Sequence, residues 1–273
     1  MVLMMENRSY SDVVGSPSAP FQTELSKSYE TLTNYFGIGH YSLDNYLAVL
    51  SGRFYPWSTG DCTPGSSCQS LDPTLATQLD NAHIPWDAYL GSMPHACDQM
   101  NYDNGTPGHS YGVRHDPFVY FPSLVKNDCQ KIQPSSQLLP DLNSSSAPDF
   151  AWFSPEICHD GGGDESCASI AAGDAFLSKE IPAIQATSWY AHNGVIVLTY
   201  DEGNGSGQGQ GEYLSGNGNH VLTIVISAAT KGKANYSPYV NHFGMLAGLE
   251  QTYHLACLAQ ACSRSNGVLP LPT

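Results

Sequence analysis

The chain has 273 residues, 41% of them hydrophobic and 13% charged, with a formal net charge of −15 from 25 acidic and 10 basic side chains. Ten Lys and Arg over this length make no basic face, which excludes phosphate-backbone recognition of nucleic acid and a polybasic membrane anchor. No apolar run approaches the roughly 20 residues of a transmembrane helix. The length of residues 1–273 allows one large domain or two small ones.

In chain order, Met1–Met5 reads as a short buried strand that ends at Glu6-Asn7. Tyr29–Tyr35 is a strand or a helical turn leading into Gly37-Ile38-Gly39. Asn45–Gly52 has helical spacing and a terminal Gly, a normal helix stop. Asp72 and Pro73 predict an N-cap and first position for a helix through Ala82. Cys97–Tyr111 is a polar loop, Phe118–Phe121 a short strand, and residues 133–148, with three prolines, a surface excursion. Asp149–Ser154 is strand-like and Cys158–Cys167 a Gly-rich loop. Ala168–Trp189 is a helix broken or kinked near Pro182. Val195–Tyr200 and Val221–Ser227 are buried strands separated by the loop Gly203–Gly218, and Asn241–Leu255 is a helix. The alternation of strand and helix argues a single α/β fold.

Eight cysteines, with close spacings at Cys62/Cys68, Cys158/Cys167 and Cys257/Cys262 and with Cys97 and Cys129 remaining, suggest four bridges and an oxidising compartment. No C-x-x-C pair favours zinc instead. Met1–Met5 runs straight into Glu6 and is no signal peptide, so either a leader is removed from this numbering or the start is placed too late, and a secreted or periplasmic location is expected.

Ligands of open α/β sheets bind beyond the carboxyl ends of the strands. Two strands here end alike, in Glu6-Asn7 and in Asp201-Glu202. As parallel neighbours they would bring three carboxylates and an amide oxygen together, a donor set suited to one hard divalent cation. Taken singly, each acidic pair could equally cap its own loop. Ser42, in Gly37-Ile-Gly-His-Tyr-Ser-Leu-Asp-Asn45, precedes a helix whose free amides and dipole favour an alkoxide or a bound anion, although an N-cap serine looks the same. Asn45 lies one turn on, in reach of a phosphoryl oxygen. Among ten histidines, His159 stands at the end of a strand in a loop that a Cys158–Cys167 bridge would hold, where a general acid belongs.

Six blocks carry a family resemblance: Glu6-Asn-Arg-Ser-Tyr10, His40-Tyr-Ser-Leu-Asp-Asn-Tyr46 through Gly52, Arg114-His-Asp-Pro-Phe118, Asp149–Asp160, Tyr200-Asp-Glu-Gly203 and Asn241-His-Phe-Gly-Met through Glu250. In this order they resemble the bacterial phosphoesterase family of phospholipases C and acid phosphatases, distant relatives of alkaline phosphatase. The resemblance implies a central, largely parallel sheet with helices on both faces and long disulfide-stapled loops. It implies Glu6, Asn7, Asp201 and Glu202 as metal ligands, Ser42 as nucleophile, Asn45 beside the phosphoryl group, His159 as proton donor and His115 lining the pocket. The chain departs from the family pattern at Tyr41 and Asp44, where Pro is usual, and at Gly244, where Ser is usual.

The expected reaction is metal-assisted phosphoryl transfer through a phosphoserine, on a small phosphate ester or a phospholipid head group. The net charge of −15 works against anionic substrates, so activity should be highest at acid pH, where protonated histidines help reverse the local field. Two alternatives compete. Gly108-His-Ser110-Tyr-Gly112 matches the G-x-S-x-G elbow of serine esterases but lacks its flanking strand and helix. A non-catalytic secreted binding module with a structural calcium would use the same acidic residues.

Overall fold

The computed structural model describes residues 1–163, 165–204 and 219–272. Seven strands make the main sheet: β1 (Val2–Met5), β2 (Glu30–Leu32), β3 (Trp86–Leu90), β4 (Ile132–Pro134), β5 (Phe150–Ser154), β6 (Ile196–Tyr200) and β7 (Thr223–Ile226). Every residue of β1, β5, β6 and β7 is buried, the pattern of strands covered on both faces. The spatial order is β2-β7-β6-β1-β5-β3-β4. Only β7 is antiparallel to its neighbours, so the carboxyl ends of the other six share one edge. Met5 pairs with Tyr200 across β1 and β6, which brings Glu6 level with Asp201.

The main helices are α1 (Pro20–Ser28), α2 (Ser42–Ser51), α3 (Leu75–Asn81), α4 (Ile170–Gln185) and α5 (His242–Thr252). They surround the sheet as packed pairs, α1 on α4 and α2 on α5. Four disulfides join Cys62–Cys68, Cys97–Cys129, Cys158–Cys167 and Cys257–Cys262. The short spacings therefore pair as expected, and the two remaining cysteines pair with each other.

Several local expectations are corrected. Phe118–Phe121 is not a strand: Pro117–Tyr120 forms a 3-10 turn, started by Asp116, whose carboxylate accepts the Phe118 amide at 3.1 Å. Helix α3 is capped by Thr74, which accepts from Thr77 N at 3.1 Å, while Asp72 takes hydrogen bonds from Tyr55 and Ser70. Helix α4 begins after Ser169 and runs unbroken past Pro182. The excursion at 133–148 holds the end of β4 and a short helix, Leu138–Leu142. Helix α1 and strand β3 were not anticipated. The Gly203–Gly218 loop falls mostly on 205–218, outside the described residues.

The departure at Gly244 has a steric origin. A Cβ there would lie 2.3 Å from the carbonyl oxygen of Asn266, so glycine lets the segment around 266–267 cross the first turn of α5.

Candidate active site

Glu6 leaves β1 fully buried, with its amide donating to Asp160 O at 2.9 Å. Its two carboxylate oxygens meet different partners. Oε2 accepts from Ser42 Oγ at 2.7 Å and from Asn7 Nδ2 at 3.0 Å. Oε1 accepts from Tyr46 OH at 2.5 Å and lies 3.4 Å from His115 Nε2. Asn7 turns the chain sharply with φ of 52°, a left-handed conformation that asparagine tolerates. That turn aims its amide at Asp201 Oδ1, 2.8 Å away.

Asp201 follows β6 and is fully buried. Burial and the neighbouring Glu6 charge push its carboxyl well above the usual carboxylate range. Among the described residues its Oδ2 has no hydrogen-bond partner. The Asp201 carbonyl is 2.5 Å from His242 Nε2, and His242 Nδ1 is 2.8 Å from Tyr35 OH. Burial lowers His242 to about 4. The neutral ring donates from Nε2 and accepts from Tyr35, which assigns its tautomer. Glu202 instead faces His40, with Oε2 2.9 Å from Nδ1; burial raises its carboxyl to about 8 against the pull of that histidine.

The three carboxylates at this edge thus divide into a neighbouring pair, Glu6 and Asp201, and a third paired with His40. Among the described residues no three His, Cys, Asp or Glu side chains stand as a ready metal-ligand group. The chemistry of the donors nevertheless fits a hard divalent ion. Two buried carboxylates repel one another, one oxygen lacks a donor, and the surrounding groups are oxygen-bearing.

Ser42 is the first residue of α2 and is buried. Tyr41 before it has φ of 98°, a costly region for a side chain of this size. It also brings no capping oxygen, and Asp61 substitutes by accepting the Leu43 amide at 3.0 Å. Asn45 serves this turn rather than facing outward. Its Oδ1 accepts from Ile38 N at 2.8 Å and Gly39 N at 3.3 Å, and its Nδ2 donates to the Gly39 and Tyr41 carbonyls. Those bonds use the full capacity of the amide. Asp44, the charged departure in this block, is buried, hydrogen-bonded by Ser58, and raised to about 7, chiefly by burial. At acid pH it adds no negative charge.

His115 stacks on Tyr46 at 5.5 Å and lies between Glu6 and Asp160, with Nδ1 4.0 Å from Asp160 Oδ2. The ring of His159 is held by other residues. Its Nδ1 is 2.7 Å from Glu156 Oε1 and its ring stacks on Phe176. Ser110 sits in a two-residue antiparallel hairpin, fully buried, donating to Thr106 O at 3.0 Å; no strand-to-helix elbow surrounds it. Tyr46 and Glu156 were missed by sequence reasoning. The first reads as one apolar position of a helix, and the second carries no signal of its own within the Asp149–Asp160 block.

A cavity of about 250 Å³ opens over this edge between Asn7, Arg8, His40, Glu202 and Asn204. Arg8 closes one side, donating to the Gly161 and Gly162 carbonyls and to Asn204 Oδ1. A larger cavity of about 680 Å³ lies at the opposite, amino-terminal end of the strands, near Met1, Trp189 and Val195, away from the carboxylates.

The fold is similar to that of a solved protein described as a member of the alkaline phosphatase superfamily. That protein, from Vibrio parahaemolyticus, matches with a TM-score of 0.62 at 15% identity, over 99% of this chain and 70% of the other. More narrowly, the Phosphoesterase family model matches residues 16–256, and the chain belongs to that family. It is 25% identical to a "Probable acid phosphatase" of Kluyveromyces lactis over 95% of this chain and 59% of that protein. It is also 25% identical to the Phosphatidylinositol-3-phosphatase of Mycobacterium tuberculosis, over 93% of this chain and 76% of that protein. The chain therefore spans little more than half the length of the yeast relative.

Proposed function

We propose that the chain hydrolyses phosphate monoesters through a phosphoserine at Ser42. The observation that carries this reading is the 2.7 Å hydrogen bond from Ser42 Oγ to Glu6, made at the first turn of a ten-residue helix. Helix amides and dipole there favour an attacking alkoxide and a bound phosphoryl group. Relatives named as phosphatases support the ester class, and the substrate is a small phosphate ester or a phospholipid head group. The four disulfides support a secreted or periplasmic location.

Glu6, Asn7, Asp201 and Glu202 are the residues that would hold one divalent ion, which when bound supplies Lewis-acid stabilisation of phosphoryl charge and of the serine alkoxide. The side chains have distinct tasks. Ser42 Oγ bonds to phosphorus and its proton passes to Glu6 Oε2, which already accepts it. His159 protonates the departing alcohol oxygen and then takes a proton from the water that releases phosphate. His115 holds the far side of the Glu6 carboxylate. Asn45 acts by fixing the turn that presents Ser42.

The test is release of a chromogenic alcohol from a phosphate monoester at about pH 5–7, with chelator added and divalent metal then restored. Activity lost with chelator and regained with metal is the expected result. No release with any divalent ion would overturn the reading.

A further inference from the structure

Strand β5 ends at Ser154, and the chain then passes through Pro155 to Glu156, which is nearly fully buried. Three separate segments converge on this carboxylate. Ser92, just beyond β3, donates its hydroxyl to Oε2. The Gly108 amide, from the hairpin loop, lies 2.9 and 2.8 Å from its two oxygens. His159 Nδ1 is 2.7 Å from Oε1. The approach of β3 is close enough that a Cβ on Gly91 would lie 2.0 Å from the Glu156 amide nitrogen, so glycine is required there. Burial acts to raise the Glu156 carboxyl, but hydrogen bonds from His159, Ser92 and Gly108 outweigh it and hold the group below the usual range. It stays ionised.

His159 is held on two sides. Glu156 takes its Nδ1 edge, and Phe176 of α4 covers one face, with centroids 5.3 Å apart and planes 10° from parallel. The side chain is still 35% exposed, and among the described residues Nε2 has no partner. The next residue already belongs to the carboxylate site, since Asp160 O accepts the Glu6 amide at 2.9 Å.

We infer that Glu156 is a positioning residue, which fixes the His159 ring and tautomer so that Nε2 carries the proton given to the leaving oxygen; this rests on the hydrolysis proposed above. As the Ser42 Oγ–P bond forms and the bond from phosphorus to the leaving oxygen breaks, the Nε2 proton moves to that oxygen. The Nδ1 proton stays on the ring, against Glu156. In the second step Nε2 takes a proton from water as the water oxygen bonds to phosphorus, the Ser42–phosphoryl bond breaks, and Glu6 returns to Ser42 Oγ the proton it took in the first step. A buried carboxylate behind an imidazole is a recurrent way to hold a general acid in register.

The experiment compares Glu156→Gln with the unaltered protein on two monoesters. Dinitrophenyl phosphate has a leaving group that needs no proton, whereas an alkyl phosphate such as glycerol phosphate does. The expected result is a loss of about 10²-fold in kcat/KM on the alkyl ester, with the aryl ester changed by less than about threefold and a cooperative melting transition retained. Equal loss on both esters, or loss on neither, would overturn the inference. If the unaltered protein cleaves neither ester, the phosphoesterase reading itself fails and takes this inference with it. Should Glu156→Gln not fold, nitrogen-15 NMR of His159 in the unaltered protein decides. In the neutral form of the ring the single proton is expected on Nδ1, against Glu156, and a neutral form protonated on Nε2 overturns the proposal.

Discussion

Tyr46 donates its hydroxyl to Glu6 Oε1 at 2.5 Å, one turn along α2 from the serine that donates to the other oxygen of the same carboxylate. Residues four apart share a helix face, so one helix grips both sides of Glu6. Burial, followed by the Glu6 charge, keeps the Tyr46 phenol protonated far above its ordinary range. Tyr46→Phe removes one charge-assisted bond, worth about 1.5–3 kcal/mol. The melting temperature and kcat are both expected to fall while KM stays within about twofold. Unchanged kcat would show that Ser42 alone orients the carboxylate.

Ser42→Ala is expected to reduce monoester hydrolysis by about 10⁴-fold or more, the scale of nucleophile removal in other covalent hydrolases. Ser110→Ala should leave kcat intact, because that hydroxyl is buried against Thr106 O. The reverse pattern in the same chromogenic assay would restore the serine-esterase alternative.

Stability should be greatest in acid. Burial raises Asp116 to about 7 from an ordinary 3.8, against hydrogen bonds from Tyr111 and the Phe118 amide. A raised folded-state value means the folded chain binds the proton more tightly than the unfolded chain. The stabilisation is complete below about pH 4 and is lost as pH rises through about 7. At roughly 1.4 kcal/mol per unit this amounts to a few kcal/mol. Melting curves across this window should fall with rising pH, and Asp116→Asn should flatten that slope. An identical slope in the variant would assign the effect to other groups, Asp44 first, since it too is raised to about 7 by burial.

The Cys158–Cys167 bridge closes a loop with a sequence separation of 9 that carries His159 and Asp160. Replacing both cysteines with serine should cost about 2–3 kcal/mol through loop-closure entropy. A larger fall in kcat than in binding is expected, because the loop carries His159, the proposed proton donor. Calorimetry beside steady-state kinetics separates the two effects.

Gly244→Ser restores the residue usual at this place in the resembling family. With only 2.3 Å between the added Cβ and Asn266 O, overpacking should destabilise the chain by about 1–3 kcal/mol. A melting temperature at or above that of the unaltered protein would show that the 266–267 segment moves aside freely.

Much of the sheet and one half of the site were legible in the residues themselves. The unbroken apolar runs of β1 and β6, each ending in acids, placed Glu6 and Asp201 at strand ends, and the helical spacing after Ser42 with Gly52 at its stop located α2. Strand β3 escaped notice because Trp86-Asp-Ala-Tyr-Leu90 carries an acid inside a short run; that acid, Asp87, takes a hydrogen bond from Gln133 on the neighbouring strand and is raised to about 6, mainly by burial. Phe118–Phe121 has strand composition, yet the Asp116 side chain turns it into a helical loop.

Sequence alone determined which chemical groups this chain possesses and which ends of its strands deliver them, because period, run length and capping residues act within a few positions. Tertiary structure decided which group meets which. Glu202 turns to His40 and Asn45 to its own loop, and Glu156 stands behind His159 with help from Ser92 and Gly108. The bond from Ser42 to Glu6 spans 36 positions and that from Asn7 to Asp201 spans 194. Such pairings follow from strand register and loop closure, which only the packed sheet sets.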